Sequence, residues 1–133
     1  MSDASRTVVP ASYHDLLAAP VLAHVATIGP DSAPQSTPVW FDWDGARLRI
    51  ALSPERQKLR NLRRDPRTAV SMVDPADPSR FLEIRGRVTF ESDPDASTLA
   101  RLVAKYTGSD DLCWVTGARV IVVIEPTHAT YRK

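Results

Sequence analysis

The dipeptide Asp44-Gly45 sits between two runs of alternating residues in PQSTPVWFDWDGARLRIALS (34–53), and such a pair is a strong short-range signal for a two-residue hairpin. A type I′ turn there predicts that Trp43 faces Ala46, Phe41 faces Leu48, Val39 faces Ile50 and Thr37 faces Leu52, which gathers apolar side chains on one face. The opposite face then pairs Asp42 with Arg47 and Trp40 with Arg49. Pro38 has no amide hydrogen to give to a ladder, so its strand is predicted to be an edge or to bulge there, leaving backbone groups free.

Other elements flank this hairpin. SYHDLLAAP offers Ser12 as the N-cap of a short helix, with Asp15 three residues on and a stop at Pro20. VLAHVATIG (21–29) reads as a strand ending in the turn GPDSAP. TAVSMVD (68–74) and RFLEIRGRVTFES (80–92) read as two more, the second placing Leu82, Ile84, Gly86, Val88 and Phe90 on one face against Glu83, Arg85 and Arg87. Asp93 and Pro94 then open a helix whose apolar stripe is Leu99, Leu102, Val103 and Tyr106, and Gly108 closes it. RVIVVIEPTHATYRK (119–133) is a buried strand broken at Pro126. Meandering strands with three short helices predict a mainly β, small closed barrel rather than a parallel α/β sheet. With 133 residues, 43% of them apolar, one domain suffices: residues 1–11 read as a flexible segment and 12–133 as the domain.

Composition narrows the partners. A formal net charge of +1 argues against a protein that coats nucleic acid or an anionic membrane over its whole surface. Cys113 is the single cysteine, which excludes an internal disulfide, and its sequence neighbours offer no base to activate it. A buried or interface position suits Cys113-Trp114 better than nucleophilic chemistry. His14, His24 and His128 lack zinc-site spacing, and no apolar run reads as a membrane span or a secretion signal, so the default location is the cytoplasm. No glycine-rich phosphate loop of the Rossmann or Walker type occurs.

The positive charge is concentrated in SPERQKLRNLRRDPRT (53–68). With 58–65 helical, Leu59 and Leu62 dock the helix while Arg60, Arg63 and Arg64 share a face, and these arginines with Arg67 read as a solvated surface. Asp65-Pro66 ends the helix, because the residue before proline is pushed out of the helical region. Arg56 and Lys58 stand at the entry. If the chain is extended through Arg56, both cations converge beside the free amides of the helix start, a site suited to a phosphate ester. If the helix instead begins at Ser53-Pro54, the two diverge by roughly 200° at the helical pitch.

The succession TIGPDSAPQSTPVWFDWDG, LRIALS, RQKLRNLRRDPRTAVSMVD and DPSRFLEIRGRV resembles the split-barrel flavin-binding superfamily named after pyridoxamine 5′-phosphate oxidase. Within it, the Arg-x-Lys pair followed by RNLRRDPR is similar to the actinobacterial branch that uses the deazaflavin coenzyme F420. The resemblance implies an FMN-binding-like split β-barrel, a homodimer with two cofactor sites at the subunit interface, and no metal. It implies that Arg56 and Lys58 hold the cofactor phosphate with Asn61 nearby, and that Gln35, Thr37, Pro38, Val39, Ala51 and Ser53 line the ribityl chain and ring. Ser36 and Trp40, and from the second subunit Ser79, Arg80 and Phe81, are the implied further contacts to substrate or partner. Relatives of this branch often carry two aromatics around position 81, where this chain has only Phe81. The implied activity is hydride transfer between F420 and a small conjugated or quinone-like acceptor. An FMN-dependent oxidase or reductase on the same fold, or a non-catalytic module binding a flavin or tetrapyrrole, are the alternatives. Nucleic-acid binding is disfavoured because no aromatic platforms interleave with the arginines.

Overall fold

A computed structural model describes residues 8–113, 115 and 117–132. Its strands are β1 (Ala23–Ile28), β2 (Pro34–Val39), β3 (Asp42–Trp43), β4 (Leu48–Leu52), β5 (Arg67–Asp74), β6 (Asp77–Ser92) and β7 (Val120–Arg132). Its helices are α1 (His14–Ala18), α2 (Gln57–Arg64) and α3 (Ser97–Thr107), with a 3-10 turn at Ala11–Tyr13. All pairings are antiparallel, in the order β2-β1-β5-β6-β7-β4-β3. β2 and β3 therefore occupy opposite edges of one sheet, yet only Trp40 and Phe41 separate them in sequence. Two residues reach roughly 10 Å at full extension. The edges must meet, and the sheet curls into a split barrel whose seam is the peptide at Trp40–Phe41.

α3 closes that seam. The Tyr106 hydroxyl accepts from the Phe41 amide at 3.1 Å and donates to the Val21 carbonyl at 2.7 Å. Lys105 Nζ donates to the carbonyls of Phe41 and Leu17, both at 2.8 Å, and lies 3.8 Å from the centre of the Phe41 ring. These bonds replace the ladder that β2 and β3 cannot make with each other. Burial lowers the Lys105 pKa to about 8 and raises that of Tyr106 to about 12.

Alternation sets the core: Val25, Ile50, Val70, Leu82, Ile84 and Ile124 turn inward, and Phe41, Leu59 and Leu62 join them. Val9, in the stretch read as flexible, is buried in the same cluster; residues 1–7 lie outside the described residues. Pro38 lies on an edge strand, as expected, since β2 pairs only with β1.

Five local expectations are corrected, the first being that α3 begins at Ser97 with Ala96 as N-cap rather than at Asp93-Pro94, while the Asp93 carboxylate accepts from the amides of Thr98 and Leu99. The hairpin register is shifted by two: Trp43 faces Leu48 and Asp42 faces Arg49. A type I′ turn would need positive φ at Asp44 and Gly45, but among these two only Gly45 has it, at 99°. Asp44 instead spends its carboxylate on the amides of Ala46 and Arg47, so Gly45-Ala46 becomes the centre of the turn. Beyond Asp42 the chain leaves for the other edge, where Val39 faces Ala23 and Thr37 faces Val25.

Ser12 lies in the 3-10 turn and caps nothing, because α1 begins at His14 with no side-chain cap. Pro126 does not break the last strand. Pairing of β7 with β4 stops at Ile124, so the missing amide faces no neighbour there, and a bulge opposite Arg85/Gly86 absorbs the irregularity. Cys113 is exposed, and its bond to Asp111 pushes the thiol pKa up; Trp114 lies outside the described residues.

Candidate functional site

Where β4 hands over to α2, the chain makes a turn from Ser53 to Arg56, closed by the Arg56 amide on the Ser53 carbonyl. Arg56 is extended (φ −66°, ψ 136°) and is the N-cap, so the helix starts at Gln57 and the Ser53-Pro54 start is not adopted. The Arg56 carbonyl accepts from the Leu59 and Arg60 amides, but its side chain offers no acceptor, and no side chain caps this end. Asp65 is extended at the other end, as its position before Pro66 demands.

The helix divides its basic residues into two groups. Arg60 donates to Glu55 O and Gln57 Oε1, Arg63 lies 4.5 Å over the Phe90 ring, Arg64 donates to Ile28 O, and Arg67 pairs with Asp65. All four are exposed, in keeping with a solvated face. The side chains of Arg56 and Lys58 have no hydrogen-bond or ion-pair partner among the described residues. Lys58 is nonetheless 8% exposed. Burial and the neighbouring Arg56 charge both lower its pKa. The ammonium keeps solvent contact at the end of a largely buried stem, and two neighbouring cations without an acidic partner among the described residues favour an anion between them.

Both cations line one cavity of about 300 Å³. Pro38, Val39 and Trp40 form the wall from the seam side, and Ala51, Leu52 and Ser53 the wall from β4. Leu99 and Leu102 of α3 and Val115 add apolar surface, while Arg119 stands where the cavity meets two further grooves of about 420 and 410 Å³. The Trp40 ring is stacked on Tyr106, 4.9 Å between centroids and 1° between planes. The arrangement is bipolar: cations and open helix amides at one end, a flat aromatic and aliphatic wall at the other.

Of the residues singled out from sequence, Pro38, Val39, Trp40, Ala51, Ser53, Arg56 and Lys58 meet at this cavity. Gln35, Thr37 and Asn61 stand behind the lining. Asn61, 1% exposed, donates to Thr27 Oγ1 and Gln35 Oε1 and accepts from Gln57, a network that ties α2 to β1 and β2. Thr37 Oγ1 is buried without a hydrogen-bond partner. Ser36 is exposed on the outer face of β2. Ser79, Arg80 and Phe81 lie at the start of β6, away from the cavity lining, with Arg80 bonded to Asp15, Asp74 and the Ser12 carbonyl. Sequence reasoning missed Val115 and Arg119, which belong to a connection without periodicity, and placed Leu99 and Leu102 only in a core stripe. No group of three or more His, Cys, Asp or Glu among the described residues is placed to hold a metal. No helix among them is long and apolar enough to cross a membrane.

Comparison with known proteins agrees with this architecture. A solved structure of an F420 reductase superposes with a TM-score of 0.81 at 38% identity, over 92% of this chain and 98% of that one. The conserved hypothetical protein Rv2991 from Mycobacterium tuberculosis follows at 0.79 and 26%, over 94% and 85%. The general stress protein 26 of Bacillus anthracis, at 17% identity and a TM-score of 0.66 over 89% and 88%, shares the fold. The family model described as pyridoxamine 5′-phosphate oxidase matches residues 9–133. With seam, basic turn and barrel all inside that span, the chain belongs to the pyridoxamine 5′-phosphate oxidase family.

Proposed function

We propose that the protein is an F420-dependent oxidoreductase that passes a hydride between the deazaflavin and a small conjugated or quinone-like acceptor, with FMN as the alternative coenzyme. One observation carries the reading: the largely buried Lys58 side chain brings an ammonium with no side-chain partner among the described residues to the same cavity as Arg56, at a helix start without a side-chain cap. The residues present fit a phosphorylated flavin-like group. The two cations and the amides at the start of α2 would take the phosphate. Val39, Trp40, Leu99 and Leu102 would take a planar ring, and the adjoining grooves leave room for a longer ligand.

When bound, the coenzyme supplies the hydride chemistry itself. The chain's work is to bind, orient and exclude water. Arg56 and Lys58 anchor one end, so that the apolar wall holds the other in a fixed plane. Lys105 and Tyr106 spend their polar atoms on backbone at the seam and serve structure, which leaves no acid or base committed to the reaction among the cavity residues. The 38% identity to an F420 reductase favours F420 over FMN. We extend the proposal to a cytoplasmic homodimer in which Ser36, Ser79, Arg80 and Phe81 face the second copy.

Titration of the purified protein with F420 and with FMN, followed by absorbance and fluorescence, tests the reading. Saturable binding of one coenzyme is expected, and it should be lost in the Arg56→Ala/Lys58→Ala double variant. A double variant that binds as well as the parent would remove these cations from the site, and a parent that binds neither coenzyme would end the proposal. Light scattering on the same samples measures the oligomeric state.

A further inference from the structure

The cavity wall and the barrel seam are made by the same short segment, and one side chain of α3 holds both. Tyr106 uses its hydroxyl on the Phe41 amide and the Val21 carbonyl, which pins the peptide that follows Trp40. It uses its ring on the Trp40 indole, parallel to within 1° at 4.9 Å. Trp40 is half-buried and lies in neither β2 nor β3, so no ladder hydrogen bonds fix its orientation. We propose that Tyr106 is a positioning residue for the ligand site, setting the plane of Trp40 as the wall against which a flat ring packs.

Three features support the assignment. Lys105 clamps the next peptide through the Phe41 carbonyl, so α3 fixes both backbone polar groups of Phe41, and among the described residues Tyr106 is the aromatic ring stacked on Trp40. Leu102 and Leu99, one and two turns earlier on α3, line the same cavity, so the helix presents a continuous surface toward the site. The basic end of the cavity depends on α2 and its Asn61 network, which Tyr106 does not touch. The two ends of the site are thus held by separate devices, one for the phosphate and one for the ring.

That separation defines the test, whose ring-binding arm rests on the coenzyme reading above. Tyr106→Phe keeps the stacked ring and removes the hydroxyl bonds; Tyr106→Leu removes both. Inorganic phosphate and FMN are titrated into each protein, with F420 as a second ring-bearing probe. Acrylamide quenching attributable to Trp40 is taken as the difference between each protein and its Trp40→Phe counterpart. Tyr106→Leu should bind FMN or F420 about three- to tenfold more weakly while holding phosphate as the parent does, and its Trp40 should become more quenchable. Tyr106→Phe should keep the parent's ring affinity and quenching even though it melts at a lower temperature. A general loss of structure would move phosphate and ring binding together. Equal ring affinity in Tyr106→Leu, or unchanged quenching of Trp40, would overturn the assignment. A parent that binds no coenzyme while Trp40 responds as described would leave the positioning role standing and remove the coenzyme reading.

Discussion

Replacing Lys58 by methionine separates what this residue does for the fold from what it does for a ligand. The lysine is 8% exposed, has no partner among the described residues and feels the charge of Arg56. Methionine keeps the length and apolar character of the buried stem and removes the charge. Relieving an unfavourable group at a functional site commonly stabilises a domain by about 0.5–2 kcal/mol. In a chain of 133 residues that corresponds to a melting point higher by roughly 2–8 °C. The same change removes one charge-assisted contact to a phosphate, about 1.5–3 kcal/mol, or roughly 10- to 150-fold in affinity. At a coenzyme concentration of about 100 times the parent's Kd, the ligand adds about 2.7 kcal/mol to the parent. With affinity weakened about 100-fold it adds only about 0.4 kcal/mol to the variant by the same relation. The order of stability should therefore cross: variant above parent without ligand, parent above variant with it. Thermal melts followed by circular dichroism, with and without F420 or FMN, read this directly. A variant that is less stable without ligand and equally protected by it would show that Lys58 is a structural lysine and that the argument from its burial is wrong.

Three further outcomes are expected. Because the Lys105 pKa is lowered to about 8 from 10.5, the folded state binds fewer protons than the unfolded one between those values, and stability should rise with pH across that window. Tyr106, raised to about 12 from 10.0, reverses the sign above pH 10, where stability should fall; denaturant titrations of Lys105→Met and Tyr106→Phe should each flatten one limb. Gly86→Ala would place a Cβ 2.2 Å from the Glu125 carbonyl oxygen, where only the backbone can yield, and should cost about 1–3 kcal/mol by urea midpoint. Asn61→Leu strands polar atoms of Thr27, Gln35 and Gln57, should cost about 1–3 kcal/mol, and should weaken phosphate binding through a loosened α2; unchanged phosphate affinity would show that the network does not position the cations.

Local patterns carried much of this protein. The strand alternation of Leu82, Ile84 and Val88, the docking of α2 through Leu59 and Leu62, the edge position of Pro38 and the break at Asp65-Pro66 were all legible, because each depends on neighbours in sequence and on steric rules that hold in any fold. The cations at 56 and 58 were legible as a pair, and their convergence was not: it turned on whether the helix began at Ser53 or Gln57, which the turn from Ser53 to Arg56 decided. The hairpin misled for a similar reason. Asp44-Gly45 does specify a turn, but which two residues form its centre depends on where the Asp44 carboxylate finds its donors, and how far the ladder runs depends on a seam that sequence does not display. Trp40 and Phe41 look like the middle of a strand, and only closure of the sheet makes them the joint between its two edges. Tyr106 and Lys105, some 65 residues away, become the partners of that joint because the curled sheet brings α3 against it. Side-chain type and spacing determined which elements form; burial, closure and long-range hydrogen bonding decided which of their residues face one another across the cavity.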